Sequence, residues 1–194
     1  EEALGKLDAI AGDGDHGIGM RRGVDAAVAA AEQSHAAGAG LEEVLAAAGE
    51  QWAERAGGTS GALWGAAVTA VGRALGSKDT YTEADAAAAV DALRDAILTL
   101  GKAEAGDKTM VDALLPFADV FNRGIDDGDG LVRSLRTAAD AAARAADATA
   151  ELSPKKGRAR PLAEKSLGHP DPGAVSFGLI ADRVAEYAAS IERS

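Results

Sequence analysis

Alanine recurs so often along this chain, and β-branched and aromatic residues so seldom, that a sheet core has little to be built from; aromatics make up 4% of the residues. Alanine is the strongest intrinsic helix former, whereas strands draw on Val, Ile, Thr, Tyr, Phe and Trp. The expectation is an all-α protein. Apolar spacing and end signals predict helices over 20–37, 41–56, 60–76, 82–101, 107–122, 129–150 and 173–192. Thr82 and Asp107 mark starts, and Gly38, Gly76 and Gly124 mark ends. Leu4 and Leu7 lie one helical turn apart, so the chain is expected to open inside the end of a further, truncated helix, making eight. With 194 residues, 47% of them hydrophobic, the chain can bury one sizeable core, and residues 1–194 read as a single domain.

Consecutive helices joined by short loops lie antiparallel, so alternate loops of an up-and-down bundle fall at the same end. One set of loops, Gly38–Gly40, Ser77–Tyr81 and Arg123–Gly128, is ordinary turn sequence. The other, Ala9–Gly19, Gly57–Thr59, Lys102–Gly106 and Glu151–Pro172, holds nearly every unusual local sequence in the chain. One end of the bundle therefore reads as a site.

A formal net charge of −11 argues against a nucleic-acid binder, which neutralises phosphates with basic surface. A polyanionic ligand would need cations from a metal or a local basic patch. Both are on offer, as clustered aspartates near the start and the run Lys155-Lys156-Gly157-Arg158-Ala159-Arg160 near the end. There is no cysteine, hence no disulfide or thiolate metal site, and a reducing cytoplasm is the default expectation. No apolar run approaches the ~20 residues that span a bilayer, and the first residues lack a signal-peptide pattern, so no membrane association is expected.

The first loop carries Asp8, Asp13 and Asp15, interleaved with Gly12, Gly14, Gly17 and Gly19. Carboxylates at this density, on a backbone that glycine lets fold tightly, suit a hard cation such as magnesium bridging to phosphate; a solvated Asp-Gly turn is the plain alternative. The glycines formally match the G-x-G-x-x-G dinucleotide fingerprint, but that motif follows a β-strand and binds pyrophosphate without metal. An EF-hand loop is excluded as well. Its glutamate at position twelve would fall on Gly19 or Val24. Gly57-Gly58-Thr59-Ser60-Gly61 precedes a helix and can either cap it or admit phosphate. Gly106-Asp107-Lys108-Thr109-Met110 opens another, with Asp107 as the expected cap and Met110 free to touch a flat base. Arg158 can bind phosphate bidentately, His16 sits beside the acidic loop, and His169-Pro170-Asp171-Pro172-Gly173 is a stiff turn before the last helix.

The stretches GDGDHGIGMRRG, GGTSGALWG, GKAEAGDKTMVDALLPF and KKGRARPLAEKSLGHPDPGA resemble, in order, the signature segments of the nucleotide-binding domain of dihydroxyacetone kinases, the DhaL or DAK2-type domain. The resemblance implies an eight-helix antiparallel barrel with ADP or ATP at one end. It implies two Mg2+ ions on Asp8, Asp13 and Asp15, and nucleotide contacts from His16, Gly17, Ile18, Gly19, Thr59 and Ser60. Gly101 and Met110 would line the adenine pocket, Arg158 would reach the phosphates, and Asp171, Pro172 and Gly173 would sit beside the nucleotide. The family often has Asn where this chain has Gly19 and Ala where it has Thr59, which leaves those two contacts to the backbone or alters them.

By the same resemblance the phosphoryl group goes to a short-chain ketose held on a separate DhaK-type domain. That domain supplies the substrate-binding histidine, so no catalytic nucleophile is expected here. The donor is either exchanging ATP or a DhaM-type phosphoprotein that recharges bound ADP. Dihydroxyacetone, glyceraldehyde and erythrulose all remain open as acceptors. A magnesium-dependent phosphohydrolase or nucleotide-binding regulator on the same fold is the competing enzyme reading. A purely structural bundle would bind no nucleotide, and a nicotinamide oxidoreductase would require a parallel sheet.

Overall fold

The computed structural model describes residues 1–157 and 159–193. Among these, every regular element is helical: α1 (Glu2–Asp8), α2 (His16–Ala36), α3 (Leu41–Ala56), α4 (Gly58–Leu75), α5 (Glu83–Gly101), α6 (Val111–Asp126), α7 (Leu131–Ala148), the short α8 (Ala163–Ser166) and α9 (Pro172–Glu192). Two 3-10 turns, Thr149–Glu151 and Arg160–Leu162, interrupt the segment before α9. The all-α expectation holds. None of these helices is long and apolar enough to cross a membrane. The chain forms two compact units, one of Glu1 with Gly17–Lys102 and one of Glu2–His16 with Ala103 onward.

In the first unit, α3 and α4 pack antiparallel through small residues. A Cβ on Gly72 would meet Leu45 at 2.8 Å, one on Gly65 would meet the Gly49 carbonyl at 2.5 Å, and one on Gly61 would meet Ala56 at 3.0 Å. Along α3 the partners run forward while along α4 they run backward. Backbones this close leave no room for larger residues, and the indoles of Trp52 and Trp64, stacked 5.3 Å apart, supply most of the bulk. Helix α5 starts on a capping box, in which the Thr82 hydroxyl accepts from the Asp85 amide and Asp85 accepts from Thr82. Lys78 lies 2.6 Å from the Asp85 carboxylate and, with the bonds from Thr82, holds its pKa down to about 2.

In the second unit, α6 buries Phe117 and Phe121, and Phe117 meets Phe177 of α9 edge-on at 5.6 Å. Helix α7 contributes a fully buried alanine face, Ala138, Ala139 and Ala142. It runs antiparallel to α9, since Arg136 pairs with Asp182 at 2.8 Å while Ala143 lies 3.5 Å from the position of a Cβ on Gly178.

Three expected boundaries move by four residues, the α2 start and both ends of α6. Helix α2 begins at His16, four residues early, because its glycines serve close packing: a Cβ on Gly19 would meet the Ala56 carbonyl at 3.0 Å, and one on Gly23 the Trp52 ring. Helix α6 begins at Val111 and runs through Gly124 to Asp126. Gly124 is small because Ser134 of α7 lies 2.6 Å from where its Cβ would be; the turn itself falls to Gly128 and Gly130, both at positive φ.

Gly65→Ala should therefore overpack the α3–α4 contact and destabilise the protein by about 1–3 kcal/mol. Gly38→Ala, at φ +84° with nothing within 4 Å, should cost only its backbone strain of about 1–2 kcal/mol. Chemical denaturation of both variants checks the ordering of packing over strain.

Candidate functional site

Helix α1 ends at Asp8, and the chain turns back on itself through hydrogen bonds from Ala9 N to Gly5 O, Ile10 N to Leu7 O and Ala11 N to Asp8 O. Gly12 is required at this turn because a Cβ there would collide with the Asp8 carboxylate. Gly14 takes φ +79°, a region that costs other residues strain. The result places carboxylate oxygens of Asp8, Asp13 and Asp15 all within 4.8 Å of one another, with Asp8 half-buried and the other two exposed. Three like charges so close repel, and a hard cation with oxygen ligands is the chemistry that relieves this. The donor set fits magnesium.

The Asp8 carboxylate also accepts from the His16 amide, the first residue of α2, at 3.3 Å. His16 Nε2 lies 3.1 Å from the Ser176 hydroxyl, whose own proton goes to the Gly173 carbonyl at 3.0 Å. This contact ties the His16 ring to the first turns of α9. Burial holds the His16 pKa below the usual imidazole value, against the pull of the Asp8 charge and the Pro172 carbonyl.

Asp171 caps α9 by accepting from the Ala174 amide at 2.7 Å, and Pro172 occupies the first turn, where its missing N–H costs nothing. The Asp171 amide donates to Thr149 Oγ1 at 2.7 Å. A Cβ on Gly173 would approach Met110 to 3.5 Å, which ties the α9 start to the turn before α6. Burial, with the negative charge of Asp112 added, raises the Asp171 pKa to about 6; the amides of Ala174 and Gly173 and the Lys108 ammonium pull the other way.

The Gly106–Met110 turn is not the helix start expected of it. Asp107 caps no helix: its side chain accepts from the Glu104 amide at 3.0 Å, and its carbonyl accepts from Lys155 N at 3.0 Å. The clamp is Asp112, which accepts from Gly106 N at 2.5 Å and Thr109 N at 2.8 Å. Thr109-x-x-Asp112 has the spacing of a capping box, a signal that sequence reasoning overlooked. Met110 is buried at 4% exposure. Lys108 is buried too, in the left-handed region at φ +60°, and donates to the carbonyls of Leu152 and Ser166 at 3.1 and 2.7 Å. Nothing in the sequence distinguishes this lysine, Ser176 or Thr149.

The second unit thus gathers Asp8, Asp13, Asp15, His16, Met110, Asp171, Pro172 and Gly173. The first holds Gly17, Ile18, Gly19, Thr59, Ser60 and Gly101. There, Gly57 and Gly58 both take positive φ before α4, and Gly57 caps the helix with no side-chain bond, so neither Thr59 nor Ser60 serves as the cap. The first-turn amides of α4 have no intrahelical acceptor and lie at the positive end of its dipole. Gly101 ends α5 against Leu63, 3.3 Å from where its Cβ would be. Arg158 lies outside the described residues.

The DAK2 domain family matches residues 10–186. D-erythrulose kinase of Mycolicibacterium smegmatis is 52% identical over 96% of the chain, which spans 32% of that relative's length. The ADP-binding subunit DhaL of a PEP-dependent dihydroxyacetone kinase from Listeria innocua is 34% identical, with 93% of this chain and 84% of the subunit covered. Among solved structures, the dihydroxyacetone kinase of C. freundii in complex with AMP-PNP and Mg2+ aligns with a TM-score of 0.62 at 28% identity, over 95% of this chain and 30% of that one.

Asp171 gives a pH test. In the unfolded chain its carboxyl ionises near pH 4, in the folded protein near 6, so over that window the folded state holds more protons. Asp171 then lowers stability as pH rises from about 4 to 6, by about 3 kcal/mol in all. Asp171→Asn keeps a capping side chain without the charge. Its thermal stability should gain on the parent's as pH climbs from about 4 to 6 and level off above, and an unchanged difference would remove the buried carboxylate from the account.

Proposed function

Because the chain belongs to the DAK2 domain family, we propose that it is the nucleotide-carrying domain of a kinase that phosphorylates a short-chain ketose. The observation that carries this reading is the cluster of Asp8, Asp13 and Asp15 oxygens immediately ahead of the α2 N-terminus. The family match runs from residue 10 to 186 through both units, which supports reading them as one domain.

Asp8, Asp13 and Asp15 hold two magnesium ions, which neutralise the phosphates of ADP or ATP. The first-turn amides of α2 from Gly17 to Gly19, and those of α4 at Thr59 and Ser60, donate to the phosphate oxygens, while the His16 amide stays on Asp8. His16 supplies a directed ring contact whose orientation Ser176 fixes through Nε2. Gly101 and Met110 border the base, Arg158 reaches the phosphates, and Asp171–Gly173 form a rigid edge. Phosphoryl transfer asks mainly for positioning and charge neutralisation, and these groups supply both. The acceptor is held by a DhaK-type domain. The erythrulose kinases among the relatives, three times the length of this chain, favour a fused arrangement and a four-carbon ketose; a DhaM-type donor belongs to the alternative with separate subunits.

Calorimetry with ADP, with and without magnesium, tests the reading. Binding is expected to require magnesium, and Asp13→Asn should weaken it by at least about tenfold, or 1.4 kcal/mol. Magnesium-independent binding, or equal binding by variant and parent, would refute the metal-bridged site.

A further inference from the structure

Lys108 is a buried ammonium that the nucleotide reading does not use. It is 3% exposed, sits on a turn that asks a non-glycine residue to take φ +60°, and points both observed hydrogen bonds at backbone carbonyls 44 and 58 residues away. Burial lowers its pKa and the Asp171 charge opposes that shift, so the site works against the charge it holds. A residue kept charged under such conditions is explained by what it joins.

Its acceptors, Leu152 and Ser166, are the two ends of one loop. Between them lies the basic run that starts at Lys155. Next to this neck the Gly168 amide donates to Ala150 O at 2.9 Å, while Lys155 meets the Asp107 carbonyl through its amide at 3.0 Å and the Asp107 carboxylate through Nζ at 3.8 Å. On the other side of Lys108, Asp112 pins the same turn at Gly106 and Thr109. The turn is thus held rigidly at one face and grips the loop with the other.

We propose that Lys108 is a positioning residue that closes the neck between Leu152 and Ser166 and keeps Lys155 against the Gly106–Met110 turn. Its effect on ligand binding rests on the nucleotide reading above: with the neck open, Lys155 no longer stays fixed against Asp107 in the turn that leads to Met110. The grip on the loop stands independently of that reading.

The test compares the full chain with Lys108→Met and Lys108→Arg, by limited trypsin digestion without ligand and by calorimetry with ADP and magnesium. Lys108→Met should be cut after Lys155 or Lys156 about tenfold faster than the parent, and should bind magnesium-ADP about tenfold more weakly. Lys108→Arg, which keeps donors for both carbonyls, should recover on both measures; a merely space-filling role would give it no advantage over methionine. If Lys108→Met loses its helical circular dichroism, Lys108→Gln, uncharged and with a stem too short to reach both carbonyls, is measured in its place. Parent-like cleavage in a folded variant overturns the proposal, and so does faster cleavage with unchanged affinity. A parent that binds no magnesium-ADP would defeat the nucleotide reading instead, while digestion would still decide whether Lys108 closes the loop.

Discussion

Helices that meet through glycine and alanine faces approach until backbone touches backbone, and that close approach governs both units of this protein. Between α3 and α4 the Gly65 and Gly49 backbones are so near that a methyl group does not fit. Between α6 and α7 the same holds at Gly124 against Ser134. A core built this way gains from dispersion across many small contacts more than from a few large side chains. The few aromatics are therefore concentrated, Trp52 on Trp64 in one unit and Phe117 with Phe121 and Phe177 in the other. Such packing tolerates little repositioning of a helix, and helix ends are where the site residues are found.

Electrostatics at one of those ends is dominated by the acidic cluster ahead of α2. The chain is strongly acidic, yet what it presents around the α2 start is a carboxylate cluster suited to recruiting cations, together with helix-start amides. Burial biases His16 toward its neutral form, and the Ser176 hydroxyl holds its ring against α9. Asp171 is held by its cap bonds to α9 although burial disfavours its charge. A site of this kind orients and neutralises.

Much of this was legible in the sequence, because it depends on local chemistry. Helical class follows from alanine content, the start of α5 from Thr82, and the acidic loop from three aspartates separated by glycine. The positions of glycines in the chain were visible, but not their reasons. Gly19, Gly23 and Gly124 sit inside helices because a distant backbone or side chain comes within contact distance, and no local pattern encodes such a neighbour.

The same division separates the site residues. Sequence by itself determined which residue types could hold a cation or a phosphate, since ligand chemistry resides in the side chain. Only the tertiary structure decided that Asp8, at the end of one helix, is brought alongside Asp13 and Asp15, and that Ser176, 160 positions away, orients His16. It likewise decided that Asp107 leaves the capping role to Asp112, and that Lys108 turns inward to bind two remote carbonyls. Hydrogen-bond partners and burial are properties of pairs of segments, fixed only when helices pack, whereas propensity and ligand type belong to each residue alone.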